Sequence, residues 1–334
     1  MAHGREQRLK RILDAINLSV VERLLRPHYV KWERGDGVTG RPPHNPVGLV
    51  VALLIQLVRG WTRERLVEFL EDHAEWVRWL GFESVPDEAT WSHLLDRVPQ
   101  ETLDRLLAQM VADLRGRRFL FLSTLAGDGS FLPACAKDAD AEWGYVRAIK
   151  KGRALPRGLF IEKRDEGIVV GYGYRIHVLV DATAGVPVAV HVTRANVNDA
   201  KAFPDLVEKA LGTVDWNRAR FLALDSGYDE TPVRDLFRPY DVDLVVHPRS
   251  LPKGIKYGGF RGARQAAYKK RTSVERFFST LKSFFDLQRW GIRALARVGK
   301  WVSLAAIAVL VVAWANDQAG RPRGSVKAFV RQLR

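Results

Sequence analysis

The succession of apolar patterns between residues 117 and 247 constrains the fold more than anything else in the chain. Residues 119–122 and 124–132 are β-rich, 167–181 alternate through Ile176, Val178 and Val180, and 186–192 read as a further strand. The link at 181–185, Asp-Ala-Thr-Ala-Gly, is hairpin-like, so three strands joined in sequence form an antiparallel meander. Asn196-Val-Asn-Asp199 then opens a helix through Phe203, Leu206, Val207 and Leu211, with Asp199 as its capping or first-turn acid. Residues 220–225, Arg-Phe-Leu-Ala-Leu-Asp, are a short apolar strand that ends in a carboxylate, and residues 243–247 give another strand.

Three antiparallel strands followed by helix, strand, helix and strand is the order of an α/β, RNase H-like domain built on a mixed sheet. Ahead of it the pattern is all-helical. Asn45 caps a helix with Pro46 in its first position and Gly60 closing it, Thr62 starts a second, and further helices follow the Pro86-Asp87 turn and Pro99. Periodicity leaves open whether this bundle reads DNA as a helix-turn-helix module or serves packing and dimerisation. The division expected is a helical domain at 1–116, a catalytic domain at 117–318 and a basic tail at 319–334. The apolar run 301–315 is shorter than the roughly 20 residues that span a bilayer and reads as a buried helix.

Residues 268–282, Tyr-Lys-Lys-Arg-Thr-Ser-Val-Glu-Arg-Phe-Phe-Ser-Thr-Leu-Lys, form the most informative stretch. On a single helix Tyr268, Arg271, Glu275 and Lys282 fall on one stripe, opposite Val274, Phe277, Phe278, Leu281, Phe284 and Phe285. The whole chain carries a formal charge of +15, and residues 249–300 hold fourteen Lys and Arg against two acids, Glu275 and Asp286. Such a surface attracts a polyanion, and nucleic acid is the obvious one. A carboxylate in that setting repels phosphate unless a divalent metal stands between them. Glu275 alone has an ordinary reading as an ion-paired surface acid, and Asp128, in Gly-Asp-Gly, has one as a turn residue. In an RNase H-like fold, however, Asp128, Asp225 and Glu275 occupy the three stations that converge on one metal site.

The chain resembles the DDE transposases of bacterial and archaeal insertion sequences. Tyr268-x2-Arg271-x3-Glu275-x6-Lys282 matches the Tyr-Arg-Glu-Lys signature of insertion-sequence families four and five. Asp128-Gly-Ser, Gly171-Tyr-Gly-Tyr-Arg-Ile-His177, Ala195-Asn-Val-Asn-Asp199 and Leu224-Asp225-Ser-Gly-Tyr228 are similar to further segments of such enzymes, as is the helical stretch 46–98. Some relatives carry a large β-rich insertion between the second Asp and the Glu; here that stretch is reduced to a short basic loop at 248–267.

The resemblance implies two Mg²⁺ or Mn²⁺ ions held by Asp128, Asp225 and Glu275, with Asp128 bridging both. It implies hydrolysis at the element's ends and attack of the freed 3′-OH on target DNA, with no high-energy cofactor. Arg271 and Lys282, with Lys269 and Lys270 beside them, are then phosphate-binding residues, and Tyr268 bonds a phosphate or stacks on a base. His177 and Asp199 are further candidates, each with a structural alternative. Partners implied are double-stranded DNA, as terminal inverted repeats and target, and a second copy of the chain. The single cysteine, Cys135, excludes an internal disulfide framework and fits a reducing cytosol, and the N-terminus lacks the apolar core of a signal peptide. A catalytically silent DNA-binding protein and an RNase H-like nuclease that cuts without joining are the alternatives.

Overall fold

A computed structural model of the chain describes residues 9, 13, 15–30, 42–148, 161–164, 167–250, 258–283, 285 and 292–328. Of the basic loop at 248–267, residues 251–257 lie outside this set, as do Phe284 and Asp286 of the basic region and the end of the tail, 329–334. The chain forms two compact units, Met1–Met110 with Ser303–Arg334, and Val111–Val302.

The first unit is helical: α1 (Leu18–Leu25), α2 (Pro46–Arg59), α3 (Arg63–Asp72), α4 (Ala74–Trp79), α5 (Glu88–Arg97) and the start of α6 (Gln100–Gly116). The Asn45 cap and the Thr62 helix start read from sequence are present, and Asp87, expected in a turn, is a cap as well. The Asn45 side chain accepts from the Val47 amide, Thr62 from Arg65 and Asp87 from Thr90, each cap stabilising its helix by roughly 1 kcal/mol. Helix α2 is apolar on every side and is buried from Gly48 through Val58, which makes it the core of this unit. A side chain at Gly48 would place its Cβ 2.1 Å from the Leu80 carbonyl oxygen, so only glycine permits that approach.

The expected domain limits at 116 and 318 do not coincide with these units. Both divisions fall inside helices, one within α6 and one within the apolar helix Leu295–Gln318. A boundary in mid-helix carries no Gly, Pro or composition change, so a search for linkers passes over it. From Ser303 the apolar helix belongs with the first unit: the Ser303 hydroxyl donates to Asp104 at 3.0 Å and accepts from Gln100 at 2.9 Å. This is the one helix among the described residues long and apolar enough to cross a membrane, and 89% of its most apolar window is buried inside the protein. The buried helix expected at 301–315 is observed, several residues longer at its N-terminal end.

The second unit carries a seven-stranded sheet: β1 (Thr124–Pro133), β2 (Glu142–Ala148), β3 (Ile161–Arg164), β4 (Ile168–Asp181), β5 (Val186–Arg194), β6 (Phe221–Leu224) and β7 (Asp243–Val246). The C-terminal half of β4 lies between β1 and β5, antiparallel to both, while β1, β6 and β7 run parallel. The order β5-β4-β1-β6-β7 is the RNase H-like mixed sheet that the sequence predicts. Helix α7 (Asp199–Ala210) connects β5 to β6, and α8 (Thr231–Leu236) connects β6 to β7. The N-terminal half of β4 pairs with β2 and β3, two strands the sequence pattern does not single out.

Two local expectations are corrected. Residues 119–122 are not a strand, because the buried Asp181 carboxylate holds them as a loop: its Oδ2 accepts the amides of Phe121 and Leu122 at 2.8 and 3.0 Å, and its Oδ1 those of Thr183 and Ala184. Residues 268–282 are not one helix. Helix α9 (Gly262–Lys269) ends and α10 (Thr272–Ser283) begins across Lys270 and Arg271, where the amides of residues 270, 271, 273 and 274 bond three residues back rather than four. The apolar face of α10 is as expected, with Val274, Phe277, Phe278 and Leu281 buried.

Asp138 clasps the loop after β1 to the approach of the C-terminal helix, α11 (Leu295–Gln318). Its carboxylate accepts from the Tyr174 hydroxyl, from the Asp140 amide and from the Ala294 amide at 2.5 Å. Burial alone would raise its pKa, but those donors outweigh it and hold the carboxyl below its ordinary 3.8. Because the folded pKa is depressed, the clasp contributes in full above that value and is lost as pH falls through the folded one. Asp138→Asn is expected to cost roughly 1–3 kcal/mol at neutral pH, and the difference from wild type should shrink at acid pH, below the ordinary carboxylate range. Thermal melts at the two pH values check this.

Candidate active site

The pleat of β1 sends alternate residues to opposite faces, and the Gly-Asp-Gly triplet uses that alternation. Residues 127–129 are not a turn but the middle of the strand, with Asp128 paired to Val178 and Gly129 to His177 of β4. Asp128 and Ser130 share one face, on which α10 packs. The two glycines share the other, on which α7 packs.

On the first face, Asp128 Oδ1 accepts the Gly129 amide at 2.8 Å and Oδ2 accepts Nη1 of Arg271 at 3.1 Å. The parallel register of β1 with β6 pairs Ala126 with Ala223, so two residues on it brings Asp128 opposite Asp225, just past the end of β6. Asp225 itself accepts the Gly227 amide at 2.7 Å and so opens the single turn Ser226–Tyr228. Burial, then the negative charge of Asp225, pushes Asp128 up to about 7, against the opposing pull of Arg271 and the Gly129 amide. Glu275, in the first turn of α10 and 62% exposed, lies 3.7 Å from Nη2 of Arg271.

The structure thus brings Asp128, in the middle of β1, near Asp225, just past the end of β6, and links Asp128 to Glu275 through one guanidinium. It does not gather three carboxylates round a point: among the described residues no three His, Cys, Asp or Glu side chains are close enough together to hold an ion. The donors are hard carboxylate oxygens suited to Mg²⁺ or Mn²⁺, and a buried Asp128 with the negative charge of Asp225 close by is a setting a divalent cation would relieve.

The candidate DNA ligands are placed unequally. Lys282 is half-buried, its Nζ 2.7 Å from Ser130 Oγ, and burial followed by the charge of Arg175 pulls its pKa down to about 8. Lys269 and Lys270 are exposed, with Lys270 reaching Thr183 Oγ1 at 3.1 Å. Tyr268, on α9, packs against His247 and Phe260 with ring centroids 4.5 and 5.1 Å apart, and the Arg271 guanidinium carbon lies 5.6 Å from its ring. With the helix broken at 270–271, the four signature residues do not share one helical stripe.

On the opposite face Asp199 is held where a side chain of residue 129 would otherwise sit; a Cβ on Gly129 would come within 1.7 Å of its Oδ1. Capping of α7 falls to Asn198, whose side chain accepts the Ala200 amide, which frees the Asp199 carboxylate to turn inward. It accepts both Nε and Nη2 of Arg175 and lies 3.2 Å from Nδ1 of His177, whose Nε2 is 2.9 Å from Thr193 Oγ1. Burial would raise the Asp199 pKa, but His177 and Arg175 bring it below the ordinary value. Asp199 and His177 therefore stand behind the strand that carries Asp128. Arg175 escaped the sequence reading as a site residue; its signal is a cation inside the apolar alternation of β4.

Residues 120–311 match the family described as a transposase DDE domain, and residues 2–97 match a transposase domain of the DUF772 type. No curated protein matches the chain. Among solved structures, it is similar to a piggyBac transposase synaptic complex with hairpin DNA, at 12% identity over 98% of this chain and 79% of that one, with a TM-score of 0.46. A Mos1 mariner paired-end complex with Mn is similar at 13% identity over 94% and 97%, with a TM-score of 0.24.

Proposed function

The chain belongs to the transposases that carry a DDE domain, and from that premise we propose that it cuts DNA at the ends of its own element and joins the freed 3′-OH to target DNA. The observation that supports this reading most is the nearness of Asp128, in the middle of β1, to Asp225, just past the end of β6, with Arg271 reaching from Asp128 to Glu275. Asp128, Asp225 and Glu275 are the residues that would hold two divalent ions. When bound, such ions supply charge neutralisation at the phosphoryl oxygens and lower the pKa of the attacking oxygen.

The chain's own groups do the rest. Lys269 and Lys270, exposed beside the site, bind backbone phosphates of the incoming duplex. Lys282, held by Ser130 next to Asp128, fixes the strand near the scissile bond. The ring of Tyr268 is backed by His247 and Phe260, and so offers a rigid edge to sugar or base. Acting on two ends calls for two such sites, so a homodimer assembled on chromosomal DNA in the cytoplasm is the working form.

A supercoiled plasmid bearing the DNA that flanks the gene, incubated with the purified protein and Mg²⁺, tests the proposal. Sequenced products should show nicks at the boundaries of inverted repeats and 3′ ends joined to new sites. Cutting without joining, even from pre-cut ends, would leave a nuclease and contradict the transposition reading.

A further inference from the structure

We infer that Arg271 is a displaceable cation: it holds Asp128 and Glu275 until divalent metal takes their oxygens, and its freed guanidinium then turns to DNA phosphate, coupling metal and DNA binding. The inference rests on the reading of Asp128 and Glu275 as metal ligands and goes beyond it by assigning how the site is regulated.

Three observations carry it. First, the guanidinium uses the very atoms a metal would need, Asp128 Oδ2 at 3.1 Å and Glu275 Oε1 at 3.7 Å. A unit positive charge and a divalent ion drawn to the same oxygens repel, so each weakens the other's hold there. Second, the side chain of Arg271 can leave without disturbing the fold. Its backbone is fixed at the joint of α9 and α10, its amide bonded to the Tyr268 carbonyl and its carbonyl to the Val274 amide, both at 3.0 Å. The side chain is already 21% exposed, and a change of rotamer is the route by which the guanidinium would reach solvent. Third, the surface it would turn toward is the phosphate-binding one. Lys269 and Lys270 immediately precede it and are exposed, and the Tyr268 ring lies beneath its guanidinium. A released Arg271 adds a planar, bidentate phosphate ligand to two point charges already there.

By linkage, whatever affinity metal loses in displacing Arg271 is returned when DNA captures the guanidinium, and the two ligands bind cooperatively. The test is calorimetric titration of the full chain with Mn²⁺ alone and then with a short duplex present, for wild type and Arg271→Gln, with folding checked by thermal melting. Without DNA, Arg271→Gln should bind Mn²⁺ about tenfold tighter than wild type, within the range of typical site-to-site coupling. Adding duplex should tighten Mn²⁺ binding more in wild type than in the variant. Equal or weaker Mn²⁺ binding by folded Arg271→Gln overturns the inference. Should that variant not fold, Arg271→Lys, which keeps the charge without the fork, should bind Mn²⁺ more tightly than wild type, and absence of any effect of duplex on wild-type Mn²⁺ affinity overturns the inference by itself. Mn²⁺ binding to wild type that is unaffected by Asp128→Asn would instead sink the assignment of the metal ligands, a separate and recognisable outcome.

Discussion

Asp225→Asn is expected to lower metal-dependent cleavage by at least about 10³-fold while DNA affinity stays within about twofold. The substitution is close to isosteric, and an amide oxygen still accepts the Gly227 amide that shapes the turn after β6. The fold is therefore retained. What disappears is the negative charge of Asp225 near Asp128 and, with it, an oxygen that the proposed mechanism gives to the metal. Removing an acid from a strongly basic surface does not weaken attraction for phosphate, so binding and cutting should separate. Gel assays of nicking beside fluorescence anisotropy of a labelled duplex measure both. Undiminished nicking would remove Asp225 from the site.

The largest stability effect is expected on the other face of the strand. Arg175→Met should destabilise the protein by about 3–5 kcal/mol, because it leaves the buried Asp199 carboxylate without its bidentate partner. The two side chains are only 13% and 15% exposed, so water replaces little of what is lost. Breaking the pair is costly, whereas removing both charges is much less so, and Arg175→Met combined with Asp199→Leu should recover a large part of the loss. Urea unfolding of the two single variants and the double variant closes the cycle. Single variants as stable as wild type would mean that the pair does not support β1 behind Asp128.

Much of the fold was legible because local chemistry and tertiary packing agree there. Asn45 and Thr62 cap the helices their positions suggest, and Ile176, Val178 and Val180 share one face of a strand, as their alternation suggests. The failures occur where packing overrides a local signal. Gly127-Asp128-Gly129 has the composition of a turn, yet the glycines are there to admit Leu224, Phe203 and the Asp199 carboxylate against a continuous strand. The sequence between Tyr268 and Lys282 has no Gly or Pro, so nothing in it marks the break at 270–271. That break accompanies Tyr268 packing on His247 and Phe260 and Arg271 bonding to Asp128, contacts distant in sequence. Asp128, Asp225 and Glu275 were legible as site candidates because each is an acid at the end or middle of an apolar element. Arg175 was not, since a lone cation in a strand gives no hint of which acid it meets.

The central claim, that Asp128, Asp225 and Glu275 work as one site, is tested most directly by comparing single and combined substitutions in the same cleavage assay. Residues that act as a unit are not additive. Asp128→Asn, Asp225→Asn and Glu275→Gln should each abolish Mg²⁺-dependent cutting at the element's ends, and any pair should cost no more than either member alone. Losses that multiply from one substitution to the next, or a single variant that cuts like wild type, would contradict the account.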